Sequence, residues 1–157
     1  MLVILEGLDK CGKTTFANRF AEHAEIIHST KDDDPVIVLS NAVKLAASKL
    51  VILDRSFLSE MCYGPVYRGE LTITPAKMMK ITKLLKSIEH CILYFSRPDG
   101  SKVEYDYLDE FEQFPDKLKL VEKRYRQYIS MYKNRFNIYE VQYKWVRNGL
   151  RMKFSKF

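Results

Sequence analysis

The stretch MLVILEGLDKCGKTTFANRFAE, residues 1–22, decides the reading of this chain. Gly7, Gly12, Lys13 and Thr14 satisfy the phosphate-binding pattern G-x-x-x-x-G-K-[ST]. The apolar run 1–5 is short enough for a buried parallel strand, and 16–22 has the spacing of an amphipathic helix. Strand, loop and helix in that order are the context the motif requires. The glycines let the backbone wrap a polyphosphate with its N–H groups, and the partial positive charge of the helix start faces the same oxygens. In such a loop the lysine, here Lys13, reaches the β- and γ-phosphates and the hydroxyl of Thr14 ligates Mg²⁺.

The bulk numbers limit what surrounds this loop. At 157 residues and 46% hydrophobic content, the chain suits one packed domain spanning 1–157. It opens without a basic leader, and no stretch approaches the roughly 18 apolar residues of a membrane span. A soluble, unprocessed protein without a membrane partner is expected. Cys11, Cys62 and Cys91 are odd in number and lack C-x-x-C or metal-ligand spacing, which argues against a disulfide framework and a zinc site. A reducing, cytoplasmic compartment is the simplest fit.

Net charge is +6 and unevenly placed: residues 117–157 hold twelve Lys/Arg against Glu122 and Glu140, a net of +10. Such asymmetry can mean nucleic acid. Within 118–136, however, Leu118, Val121, Tyr125, Tyr128, Ile129, Tyr132 and Phe136 recur at helical spacing. Lys117, Lys119, Lys123, Arg124 and Arg126 fall mostly between them. The solvated face of a core helix is the expected reading, with steering of an anionic substrate or polynucleotide binding as alternatives.

Further along, 25–28 is a short strand candidate, and a polar loop from Ser29 leads to Pro35, which suits the first turn of a helix to about Ser48. Residues 49–54 read as a buried strand ending in an acid, and 57–63 as the start of a helix broken at Gly64, Pro65 and Gly69. Thr74-Pro75 opens a helix to about Glu89, and 90–95 is a fourth strand. Residues 96–115 form a long charged connection of the kind that serves as a lid. A helix over 116–136 and a strand near 138–143 complete the series. The expected fold is α/β, a doubly wound five-stranded parallel sheet flanked by helices.

Ligands of open α/β sheets lie at the carboxyl ends of the strands. There the third strand offers Asp54-Arg55-Ser56: a carboxylate able to hold Mg²⁺ and a guanidinium able to fork onto phosphate, or else an ordinary ion pair. Lys31, after the second strand, is either a ligand of an acceptor phosphate or a solvated loop lysine. Arg97, after the fourth, with Lys102 beyond it, is either a lid cation closing over the transferring phosphoryl group or a polar loop residue.

Glu6-Gly7-Leu8-Asp9-Lys10-Cys11-Gly12-Lys13-Thr14-Thr15 resembles the phosphate loop of thymidylate kinases, E-G-x-[DE]-x-x-G-K-[ST]-T, and Asp54-Arg55-Ser56 is similar to their D-R-[YHS] segment. With the strand order, the resemblance spans most of residues 1–130, and 54–69 more specifically resembles small nucleotide kinases of bacteriophages. It implies a P-loop NTPase fold, a role in nucleotide biosynthesis and, for a phage protein, the host cytoplasm. In that family the acid at the Asp9 position contacts the sugar 3′-hydroxyl and the arginine at the Arg55 position holds the acceptor phosphate. In some members a basic loop residue, which Lys10 would match, contacts the donor γ-phosphate. The family's base-stacking helix has no counterpart in 36–48, which leaves the base open.

The resemblance thus implies a kinase with ATP and Mg²⁺ as cofactors and a deoxynucleoside monophosphate, thymidylate-like, as acceptor. Gly7, Lys10, Cys11, Gly12, Lys13, Thr14 and Thr15 would hold ATP, and Thr14 and Asp54 the metal. Lys13, Arg55, Lys10 and Arg97 would be catalytic, and Asp9, Lys31, Arg55, Ser59, Glu60, Tyr63 and Arg68 would bind the acceptor. A deoxynucleoside kinase is the alternative, because Asp54-Arg55-Ser56 with Ser59-Glu60 is also similar to that group's E-R-S-x-x-S-D segment. Those enzymes need a carboxylate base after the second strand, where His28-Ser29-Thr30-Lys31 stands here. A kinase of a hydroxymethylated thymine-type base in DNA, a non-enzymatic nucleotide switch and a homodimer also remain open. If the basic C-terminal part is a solvated helix face, duplex DNA should bind weakly and detach as salt rises toward physiological strength; titrations at two salt concentrations check this.

Overall fold

A computed structural model describes residues 1–96, 115–146 and 149–157. Strand β1 is Leu2–Gly7, followed by helix α1 (Lys13–Asn18), β2 (Glu25–His28), α2 (Pro35–Ala46), β3 (Val51–Asp54) and α3 (Phe57–Tyr63). A π-helical turn over Gly64–Arg68 extends α3, and α4 (Pro75–Lys86), β4 (His90–Ser96), α5 (Pro115–Tyr132), β5 (Ile138–Val146) and β6 (Gly149–Lys156) complete the order. The two proline starts behave as their chemistry requires. Asp34 accepts a hydrogen bond from the Val36 N–H and Thr74 from the Lys77 N–H, so each caps a helix whose first residue is proline.

One sheet carries the strands in the order β2-β3-β1-β4-β5-β6. The first five are parallel, and the expected doubly wound arrangement is present. The sixth lies antiparallel to β5, a hairpin that the sequence reading stopped short of, having ended the last strand near Tyr143. The other difference is α1, which ends at Asn18 and continues only as turns, although 16–22 reads as helix. The expected lid over 96–115, with Arg97 and Lys102, lies almost wholly outside the described residues.

Burial explains the continuous apolar runs. Every residue of β1 and β3 is buried, as expected for strands covered on both faces. Helix α5 lays Leu118, Val121, Tyr125, Ile129 and Tyr132 into the core and leaves Lys119, Lys123 and Arg126 exposed, so the amphipathic reading of this basic helix holds. None of the described helices is long and apolar enough to cross a membrane.

Close approach of β1 and β4 places the start of the phosphate loop. Gly7 has φ +129°, and a Cβ there would stand 2.3 Å from the carbonyl oxygen of Phe95, the residue it faces across the sheet. Neither the left-handed backbone nor a clash with main chain can be relieved by a rotamer change. Gly7→Ala should therefore destabilise the fold by about 3 kcal/mol or more, read as a lower midpoint in urea unfolding.

Candidate active site

The loop between β1 and α1 forms around its own lysine. Lys10 and Gly12 take left-handed conformations, φ 57° and 87°, which turn the chain tightly ahead of α1. The Lys13 ammonium is folded back into that ring and donates to the carbonyl oxygens of Gly7 (3.1 Å) and Leu8 (2.6 Å). Burial, and then the nearby Arg55 charge, lower its pKa from the ordinary lysine value. An anion entering beside it would restore the balance. Tyr143 of β5 packs on the loop from the outside and donates its hydroxyl to the Gly12 carbonyl at 3.3 Å.

In front of the loop lies a cleft of about 330 Å³, lined by Asp9, Lys10, Gly12, Lys13, Thr14, Thr15, Asp54 and Arg55. Of the residues expected to hold ATP, Gly7 and Cys11 do not line it; Cys11 is buried with the core, and both belong to the loop's backbone path. Asp54, at the carboxyl end of β3, accepts through Oδ2 a hydrogen bond from His28 Nδ1 at 3.2 Å, which the imidazole donates when protonated at that nitrogen. Its other oxygen, Oδ1, is buried and makes no hydrogen bond to a described residue. A buried carboxylate oxygen without a partner, in the same cleft as the exposed Thr14 hydroxyl, fits a hard divalent cation.

Beside it opens a second cleft of about 460 Å³, within the ordinary range for a small-molecule site. The loop after β2 contributes Lys31 and Asp33, α3 contributes Ser59, Glu60 and Tyr63, and the π-helical turn contributes Tyr67 and Arg68. Asp9 and Arg55 line both clefts. Arg55 is a non-glycine residue at φ 71°, anchored by its N–H to the Leu5 carbonyl at 2.9 Å. Its guanidinium pairs closely with Asp9 and lies 5.1 Å over the Tyr63 ring. The Tyr63 hydroxyl donates to the other oxygen of Asp9 at 3.5 Å, and its ring stacks on Tyr67 with centroids 5.9 Å apart.

The sequence reading brought Asp9, Lys31, Arg55, Ser59, Glu60, Tyr63 and Arg68 to this place, and all seven line the cleft. It missed Tyr67, whose signal was a tyrosine four residues after Tyr63, and Asp33, which stands after β2 where a carboxylate base would. Asp33 is nonetheless occupied. It accepts the Thr30 N–H at 2.7 Å and the Thr30 hydroxyl at 2.8 Å, and these bonds lower its pKa, which makes it a turn-forming anion and a weak proton acceptor.

Solved structures resemble this one over most of the chain. The YorR protein from Bacillus subtilis, in complex with phosphorylated GDP, is similar at TM-score 0.65 and 24% identity, covering 89% of this chain and 84% of that one. Thymidylate kinase from Ehrlichia chaffeensis matches at 0.58 with 13% identity, covering 94% and 89%. The chain has the thymidylate kinase fold. Thymidylate kinase from Candida albicans matches at 0.50 with 17% identity, covering 90% and 83%. No protein-family model and no curated protein matches the sequence.

In this fold the last residue before Gly7 has an unusual position. Glu6 is fully buried, accepting from Ser59 and, at 3.2 Å, from the Tyr125 hydroxyl, while its Oε1 makes no hydrogen bond to a described residue. Burial raises its pKa above the ordinary 4.5, outweighing the Ser59 bond and the Arg55 charge. As pH rises past about 4.5 the unfolded chain gives up this proton before the folded one does. Folded-state stability should fall from there to the folded pKa. Glu6→Gln removes this titration, and its unfolding free energy, measured by denaturant titration across pH, should lack that share of the decline.

Proposed function

We propose that the protein is a Mg²⁺-dependent kinase that transfers the γ-phosphoryl group of ATP to a deoxynucleoside monophosphate. The observation that carries this reading is the meeting of the two clefts at one ion pair, Asp9–Arg55, with a buried lysine on one side and a tyrosine pair on the other. Phosphoryl transfer needs that geometry: two anionic ligands held end to end, with cations between them.

In this mechanism the loop and Lys13 hold the ATP phosphates, and Lys10 stands beside the γ-phosphate. Thr14 and Asp54 would hold Mg²⁺, which offsets negative charge on the transferred group when bound. Arg55 grips the acceptor phosphate with its fork, and Asp9 meets the sugar 3′-hydroxyl. An acceptor oxygen attacks the γ-phosphorus as the bond to the β-phosphate oxygen breaks, leaving ADP and a deoxynucleoside diphosphate. The attacking oxygen is already anionic, so no base is required. The chain accords with this, because Asp33 is engaged with Thr30 and Asp54 with His28.

A transfer assay with [γ-³²P]ATP against nucleosides, their monophosphates and DNA tests the reading. Label should pass to a monophosphate; efficient phosphorylation of thymidine or deoxycytidine with none of the monophosphates used would overturn it. Arg55→Lys keeps the charge but loses the two-pronged grip. It should raise the acceptor KM by about tenfold or more and lower kcat, with the KM for ATP nearly unchanged.

A further inference from the structure

The far wall of the acceptor cleft carries a charged pair that phosphate transfer does not use. Glu60, in the first turn of α3, points a mostly buried carboxylate into the cleft, with 13% of its side chain exposed. Arg68, at the end of the π-helical turn, reaches back to it with Nη2 alone, which touches both carboxylate oxygens. Thr72 donates its hydroxyl to Oε1 at 2.7 Å. The main chain is shaped around this pair. A Cβ on Gly64 would stand 2.8 Å from Glu60 Oε1, 2.9 Å from the Glu70 carbonyl oxygen and 3.0 Å from Arg68 Nη2, so a side chain there would press on the main chain and displace the pair.

The grip is not the two-pronged one that arginine makes when it serves only to neutralise a carboxylate. Arg68 Nε and Nη1 make no hydrogen bond to another described residue, and a third of its side chain is exposed. The pair therefore lines the cleft with an anionic acceptor beside cationic donors that no other described residue engages. It lines the same cleft as Arg55, Asp9 and Tyr63 but, unlike Arg55 and Asp9, does not line the cleft in front of the phosphate loop, so it faces a part of the acceptor other than its phosphate.

Resting on the kinase reading above, we propose that Glu60 and Arg68 select guanine as the acceptor base. A carboxylate is fully matched by two donors on neighbouring atoms, which guanine offers in its ring N1–H and its 2-amino group. Its O6, next along the edge, is an acceptor suited to Arg68. Thymine offers a carboxylate one N–H flanked by two carbonyl oxygens, and adenine and cytosine offer one amino group beside a ring-nitrogen lone pair, so in each a lone pair would face the second carboxylate oxygen. In the bound state Arg68 turns from Glu60 onto O6, and the two N–H groups of the base take its place on the carboxylate.

Calorimetric binding to the full chain in the presence of ADP tests this, with deoxyguanosine, deoxyinosine, thymidine, deoxycytidine and deoxyadenosine monophosphates as ligands. Deoxyinosine monophosphate lacks only the 2-amino group. It should bind about tenfold or more weaker than the guanine nucleotide, and the other three weaker still. In Glu60→Gln that tenfold difference between the guanine and hypoxanthine nucleotides should shrink to about twofold or less, because the partner of the amino group is gone. Equal binding of the two in the wild-type protein, a tighter ligand among the other three, or a difference unchanged in Glu60→Gln would each overturn the proposal. Should the variant fail to fold, the wild-type comparison decides alone. Turnover separates the two readings. Guanine-selective binding without phosphoryl transfer overturns the kinase function and leaves this proposal standing, transfer without guanine preference overturns this proposal alone, and binding of no monophosphate overturns both.

Discussion

The arrangement of both clefts depends on the turn between β3 and α3, where Arg55 is held at φ 71° by its N–H bond to the Leu5 carbonyl. A side chain in the left-handed region costs on the order of a kilocalorie or more, and such strain persists only where surrounding contacts over-determine it. Here they do. The N–H bond ties the turn to β1, the guanidinium pairs with Asp9 of the phosphate loop, and the Tyr63 ring lies beneath it. Relaxed to an ordinary backbone angle, the side chain would leave Asp9 and the two clefts would lose the group they share.

Three cations of this region are held by partners within the chain. Asp9 holds Arg55, Glu60 holds Arg68, and backbone carbonyls hold Lys13. Such contacts fix the direction in which each cation points, which reduces the ordering a ligand must impose. Each anionic partner also has to yield, so affinity depends on how well the ligand replaces it. A phosphate dianion replaces a carboxylate readily, having more oxygens and more charge.

Much of this was legible in the chain. The run 1–5, the spacing of Gly7 and Gly12 around Lys13, and the acid closing 49–54 fix a strand, a loop and a neighbouring strand end by local chemistry alone. The periodicity of Leu118 to Phe136 likewise told core from surface on α5. What escaped was set by contacts between distant residues. The shortening of α1 has no punctuation in 16–22. The hairpin after Tyr143 lies in a segment whose alternation runs on past the point where a parallel series would end. Tyr67 reaches the cleft only because a π-helical turn follows α3, and the pairing of Glu60 with Arg68 eight residues away follows from that same turn. The buried state of Glu6 is equally tertiary, since Ser59 and Tyr125 come from two other elements.

Tyr143 braces the phosphate loop from a strand 131 residues along the chain from the Gly12 carbonyl that it touches. A ribosome makes the loop long before the tyrosine that braces it. The nascent chain can build β1, β2 and β3 early, yet the loop acquires its outer support only when β5 has emerged and paired with β4. The loop in its braced form accordingly waits on synthesis of β5, and a nascent chain halted before Tyr143 would carry the whole motif without the side chain that steadies it.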